Sequence, residues 1–243
     1  MKSQTMSKKQ TLEGTLVLGT EQGCGKTVLV AGLAMALSDA GFRVQAFKPL
    51  EFGVSGGFSH GQDQAYINKM TGQYILVETV RLASAWDMTV PTWNRLIEHC
   101  KTLQYPCILE GPGQVASAWR LSRDQLVDGL DVAQLLGFSI LLVAKTGPDF
   151  FEKTRAALEF IRSRGQQAIG FVQVDTMTET LVDEDKNQAE KIMLSHHYGT
   201  PFLGHFPYSP SISVPTHRQG NLMRMTQDNI DLLPLQLGMG LTL

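Results

Sequence analysis

Short apolar runs alternate along this chain with longer stretches whose apolar residues recur at helical spacing. "TLVLG" (15–19) has the length of a strand, and "KTVLVAGLAMALSDAG" (26–41) predicts a helix that ends at a capping glycine, Gly41. "RVQAFKP" (43–49) predicts a second strand, halted by Pro49. Further on, "WNRLIEHCKTLQ" (93–104) predicts a helix, "PCILEG" (106–111) a short buried strand, and "DQLVDGLDVAQLLG" (124–137) another helix. "FSILLVAK" (138–145) is a strongly apolar strand, and "EKTRAALEFIRSRG" (152–165) again reads as a helix closed by glycine. The strand "QAIGFVQVD" (167–175), the charged helix "DEDKNQAEKIMLSHHYG" (183–199) and a last strand, "FLGHFP" (202–207), complete the series. Strands alternating with helices form right-handed βαβ units, and therefore a mainly parallel sheet with helices on both faces. No repeat or linker divides the chain. The expectation is a flexible N-terminal tail, 1–13, followed by a single α/β domain, 14–243. In "DNIDLLPLQLGMGLTL" (228–243), Pro234 and the glycines interrupt helical periodicity, so this apolar segment is expected to pack on the domain or on a dimer partner and not to form a membrane-targeting helix.

Composition narrows the function classes. The 243 residues carry a formal net charge of −2, which gives no electrostatic reason to bind nucleic acid or a membrane surface. The three cysteines, Cys24, Cys100 and Cys107, are too few for a disulfide framework, and their spacing fits no common zinc pattern. With no apolar run long enough to span a bilayer and no apolar leader, a cytoplasmic location is expected.

The chemistry concentrates in "GTEQGCGKT", Gly19 to Thr27, placed directly between a predicted strand and a predicted helix. That is the setting of a phosphate-binding loop, and it makes the expected fold of the P-loop NTPase type. Gly19, Gly23 and Gly25 let backbone N–H groups turn toward a polyphosphate, and the start of the helix adds its positive dipole end. Lys26 would reach the outer phosphates, and the Thr27 hydroxyl would hold magnesium. The spacing is unusual, because the common G-x-x-x-x-G-K-[ST] pattern needs glycine where this chain has Thr20. Lys48 stands at the end of the second strand, where strand carboxyl ends line a ligand crevice, and would neutralise charge during phosphoryl transfer. Glu110 ends an apolar strand, a costly place for a carboxylate without a partner. Glu110 and Asp63 are candidate magnesium carboxylates. Asp63 reads equally as the N-cap of a helix over "QAYINKM".

Taken together, "GTEQGCGKT", "KPLEFG", the aspartate of "GQDQ", "LEGPG", "AQLLGFSILLVAKTG" and "LGHFP" occur in the order seen in dethiobiotin synthetases, which this chain resembles from about Gly14 to Pro207. The family's loop likewise has five residues between its first glycine and G-K-T, with threonine and an acid at the positions of Thr20 and Glu21. The resemblance implies an ATP- and Mg2+-dependent ligase that closes a ureido ring on 7,8-diaminononanoate with CO2. It implies nucleotide contacts from Thr20, Glu21, Gln22, Gly23, Cys24, Gly25, Lys26 and Thr27. Lys26 and Lys48 would be the catalytic cations, and Thr27, Asp63 and Glu110 would hold the metal. Asp175, Pro207 and Tyr208 would lie by the base, and the family's homodimer would bind substrate across its interface. The partners implied are a small diamino acid and CO2, with no nucleic acid and no membrane.

The departures fall on the substrate side. Phe52 replaces a small hydroxyl residue, and Pro112 and Gln114 alter the glycine-rich turn after Glu110. "PDFFEKT", with Asp149, Glu152 and Lys153, stands where the family places an Asn-His pair. Val174 occupies the place of a base-binding asparagine, flanked by Gln173 and Asp175. A diverged paralogue that binds ATP for another substrate, or for regulation, is therefore the alternative. Partitioning ATPases of the same fold carry a lysine where this chain has Glu21, and "VQVD" lacks the N-K-x-D of guanine binders. Trp86, Trp93 and Trp119 are open either to substrate or to core packing.

Overall fold

The computed structural model describes residues 13–53, 61–73, 75, 78–103, 106–178 and 183–241. The expected tail, save Glu13, therefore lies outside the described residues. The chain enters through β1 (Gly14–Gly19) and α1 (Lys26–Asp39), then runs through β2 (Gln45–Phe47), β3 (Leu50–Phe52), α2 (Gln62–Thr71) and β4 (Val80–Leu82). Next come α3 (Val90–Lys101), β5 (Cys107–Glu110), β6 (Ala118–Leu121), β7 (Leu126–Asp128), α4 (Gly129–Leu136), β8 (Ser139–Lys145) and α5 (Phe150–Ser163). It closes with β9 (Ala168–Val174), α6 (Glu184–Tyr198), β10 (Phe202–Phe206), α7 (Leu222–Asn229) and α8 (Leu233–Gly238).

Six strands form one parallel sheet in the order β10-β9-β8-β1-β5-β2. Side chains alternate across it, as the pleat requires. Leu16 and Leu18 of β1 join a core with α3, α4, α5 and α6, while Val17 joins a second core with α1, α2, α7 and α8. The expected doubly covered parallel sheet is present, and β1 lies inside it with the phosphate loop at its carboxyl end. Two small ribbons stand outside: β3 beside β4 in parallel, and β6 against β7 in antiparallel.

Two expectations need correction. The helix expected over 124–137 begins only at Gly129, because Leu126–Asp128 pairs with β6. Asp128 ends the strand and caps the helix, accepting from the N–H groups of Leu130 and Asp131, while Asp131 Oδ2 accepts from the N–H of Asp128. The capping box, buried inside an apolar stretch, was hidden by the periodicity around it. In the C-terminal segment, Pro234 does not break a helix; it lies in the first turn of α8, where a missing N–H costs nothing. Leu235 and Met239 are fully buried there against the sheet. Among the described residues no helix is long and apolar enough to cross a membrane.

Candidate functional site

A cavity of about 630 Å3 opens at the carboxyl ends of β1, β2 and β5. Its phosphate-loop wall consists of Gln22, Gly23, Gly25, Lys26 and Thr27. Gly25 caps α1 with a φ of 92° in the left-handed region, and an added Cβ would stand 2.5 Å from Val174 Cγ1. No side chain caps the start of α1 and no acid lies in its first turn. The amide donors there are left for an anion, which the helix dipole favours. Lys26 is buried and its Nζ donates to Gly113 O at 2.6 Å across the cavity mouth.

The metal-side residues converge as well. Thr27 Oγ1 donates to Glu110 Oε1 at 2.9 Å, and Lys48 Nζ donates to the same oxygen at 2.8 Å and to Asp63 Oδ2. Burial alone would pull the Lys48 ammonium down, but the adjacent carboxylates of Glu110 and Asp63 outweigh it and hold the group above the ordinary lysine range. The open alternative for Asp63 is resolved, because the N-cap of α2 is Gly61 and the Asp63 side chain serves Lys48. Glu110 Oε2 is buried with no hydrogen-bond partner. A carboxylate oxygen in that position suits a cation, and with the Thr27 hydroxyl and Asp63 it makes a hard-oxygen set of the kind magnesium takes beside phosphates. The residues present therefore fit the metal.

Not every loop residue reaches the cavity. The Thr20 N–H is spent on Val143 O at 2.9 Å, and Cys24 is fully buried in the core. Glu21 Oε2 accepts from Lys153 Nζ at 3.1 Å, and Lys153 also pairs with Asp149 at 3.4 Å, so the acid of the loop and the acid before α5 share one lysine. Of the altered turn, Gly113 O holds Lys26, while the N–H of Gln114 is taken by Ser117 Oγ.

A second hollow of about 160 Å3 adjoins the first through Gly25, Val28 and Val214. Val174, Asp175, Pro207 and Tyr208 line it, so three residues expected near the base are brought together. Gln173 points elsewhere: it is buried and exchanges amide hydrogen bonds with Asn187 of α6. Burial pushes the Asp175 carboxyl up, but His205, with Nε2 2.9 Å from Oδ1, together with the Thr146 hydroxyl and the Tyr208 N–H, draws it below the usual carboxylate range.

Sequence reasoning missed Glu51 and Arg81, which also line the larger cavity. The argument that flagged Glu110, a carboxylate inside an apolar strand, applies equally to Glu51. Trp119 is fully buried and Trp93 packs against the core, whereas Trp86 is exposed. Among the described residues no group of three or more His, Cys, Asp and Glu side chains is placed to hold a metal unaided.

A parallel sheet with a phosphate loop after its central strand, and basic and acidic side chains converging on that loop, define a P-loop nucleotide-binding protein. Residues 13–216 match the family model described as an AAA domain, and the chain belongs to that family. It is similar to ATP-dependent dethiobiotin synthetases: 23% identical to that of Bacillus subtilis strain 168 over 91% of this chain and 96% of the relative. The identity is 26% to that of Bacillus licheniformis, over 94% and 99%. With that of Mycobacterium marinum it is 28%, over 64% and 72%. Among solved structures, a ParA family ATPase from Chlorobium tepidum superposes with a TM-score of 0.51 at 12% identity, covering 93% of this chain and 98% of that one. The cell-division protein MinD of Aquifex aeolicus gives 0.51 at 13%, covering 86% and 87%. At such identities the likeness is one of fold.

Proposed function

We propose that this protein is an ATP- and magnesium-dependent ligase of the dethiobiotin synthetase type, closing a ureido ring on 7,8-diaminononanoate with CO2. One observation carries the reading: the phosphate loop and the Lys48–Asp63–Glu110 cluster, drawn from four separate elements, meet in a single cavity. The similarity to named synthetases, which extends over nearly the whole chain in the Bacillus proteins, supports it.

In this scheme one amine of the substrate adds to CO2 and loses a proton, giving a carbamate. The carbamate oxygen forms a bond to the γ-phosphorus as the bond to the ADP oxygen breaks. The second amine then attacks the carbonyl carbon, expels phosphate and loses a proton, leaving the cyclic urea. The amides at the start of α1 and the Lys26 ammonium hold the phosphates. Lys48, kept protonated by its two carboxylates, donates toward the transferring phosphoryl oxygens. Thr27, Asp63 and Glu110 would hold magnesium, which supplies charge neutralisation when bound. The smaller hollow takes the base between apolar walls, with Asp175 and Tyr208 beside it. A cytoplasmic homodimer, binding substrate across its interface, belongs to the same reading.

The altered substrate side favours one competing reading, a paralogue that couples ATP to a different acceptor. Phe52 lines the cavity, and Lys153 is already committed to Glu21 and Asp149. The two readings separate on ADP release from Mg-ATP and bicarbonate, measured with and without 7,8-diaminononanoate. Diamine-dependent release with matching dethiobiotin establishes the first; ATP binding with no response to the diamine establishes the second.

A further inference from the structure

The larger cavity contains a carboxylate that the phosphate chemistry leaves unused. Glu51, in β3, is 9% exposed, lines the cavity, and has a buried Oε1 with no hydrogen-bond partner. The cations nearby do not satisfy that oxygen. Lys48 gives its hydrogen bonds to Asp63 and Glu110, and Arg81 Nε stands 3.8 Å from the other oxygen, Oε2, beyond hydrogen-bond distance. Burial raises the Glu51 carboxyl, and the charges of Asp63 and Glu110 raise it further against the opposing pull of Lys48 and Arg81. A buried carboxylate with an idle oxygen destabilises the fold unless a ligand repays it.

The surroundings nevertheless hold it in place. Gly61, immediately before α2, lies so close that any Cβ there would fall on the Glu51 carboxylate. β3 is held to β4 in register, with Glu51 opposite Arg81. Phe52, next along the strand, adds an apolar wall to the same cavity. Among the described residues Glu51, Asp63 and Glu110 form no group placed to hold a metal by themselves.

We propose that Glu51 is a specificity-determining residue that accepts hydrogen bonds from a cationic or hydrogen-bond-donating nitrogen of the acceptor substrate. The chemistry of an unshared carboxylate oxygen selects an amine, and Phe52 beside it selects an acceptor with an aliphatic chain next to that nitrogen. The assignment rests on the reading that this cavity receives the acceptor of an ATP-dependent ligase. It does not need that acceptor to be cyclised.

Calorimetry tests it on the whole protein with Mg-ADP bound, using 7,8-diaminononanoate and, as a nitrogen-free control, nonanoate. Glu51→Gln keeps the shape of the side chain and removes its charge. Gly61→Ala pushes the carboxylate out of place without altering it. Both should weaken diamine binding ten-fold or more and leave nonanoate binding unchanged. Glu51→Gln should keep Mg-ATP affinity within two-fold and should not lower the thermal midpoint. Unchanged diamine affinity in Glu51→Gln would overturn the proposal. So would a wild-type protein that binds Mg-ATP and no diamine, or a Glu51→Gln variant whose midpoint and ATP affinity fall together, which marks a structural ion pair with Arg81. Glu51-dependent diamine binding without ring formation would defeat the ligase reading alone. Ring formation untouched by Glu51→Gln would defeat this assignment alone.

Discussion

Lys26 and Glu110 show how two side chains 84 residues apart in sequence come to share one task. Lys26 is buried at the cavity mouth, and removing it leaves the phosphates without their nearest cation. Lys26→Ala should reduce ATP binding below detection by calorimetry, and retained affinity would remove this lysine from the phosphate site. Glu110 has one oxygen held by Thr27 and Lys48 and the other idle. Glu110→Gln should raise the magnesium needed for half-maximal turnover by ~10-fold or more, as changes to metal-supporting groups commonly do. An unaltered magnesium titration would exclude Glu110 from the metal site. Both residues were legible in the sequence because each breaks a local rule: a lysine in a glycine turn, an acid at the end of an apolar strand. Glu51, between Leu50 and Phe52, breaks the same rule yet was overlooked, because the strand expected over 43–49 stops at Pro49 and β3 beyond it was not anticipated.

At the scale of elements, periodicity recovered every strand of the main sheet. It failed where two short elements share one apolar stretch, as in β7 and α4. The side chain that divides them, Asp128, is 1% exposed and serves twice, capping α4 and accepting from Arg164 Nη1 at 2.6 Å. Asp128→Ala should therefore lower the unfolding free energy by about 1–2 kcal/mol from the cap alone. The partly exposed Arg164 adds little to that figure. Because Asp128 lies outside both hollows, Mg-ATP affinity should be preserved. Denaturant unfolding and nucleotide titration of one variant preparation check both halves. Gly25 is the opposite case, an element boundary that is also part of the site. Gly25→Ala forces a side chain into left-handed backbone and against Val174, so it should cost both stability, by about 1–3 kcal/mol, and ATP binding. Intact ATP affinity in that variant would mean that the loop tolerates another path.

For the molecule as a whole, the sequence conveyed the doubly covered parallel sheet but not the way its two ends meet. α7 and α8 lie far along the chain from α1, yet Leu222, Leu235 and Met239 are buried in the same core as α1. Hydrophobic spacing within a window of a few turns carries no signal for such a return. The base-side hollow depends on it, since Ile212 and Val214 come from the segment just before α7.

The place of β1 in the sheet governs when the protein can begin to work. Thr15 in this strand hydrogen-bonds Ser139, 124 residues further on, and β1 is also flanked by β5. During synthesis β1 leaves the ribosome before both strands that flank it, β5 and then β8. Pairings between segments so remote in sequence form late and slowly. The loop after β1 is therefore translated well before the strands that fix it, and it acquires its shape only when translation has passed Lys145. Until then the nascent chain presents an apolar strand in need of protection and has no formed pocket for a nucleotide.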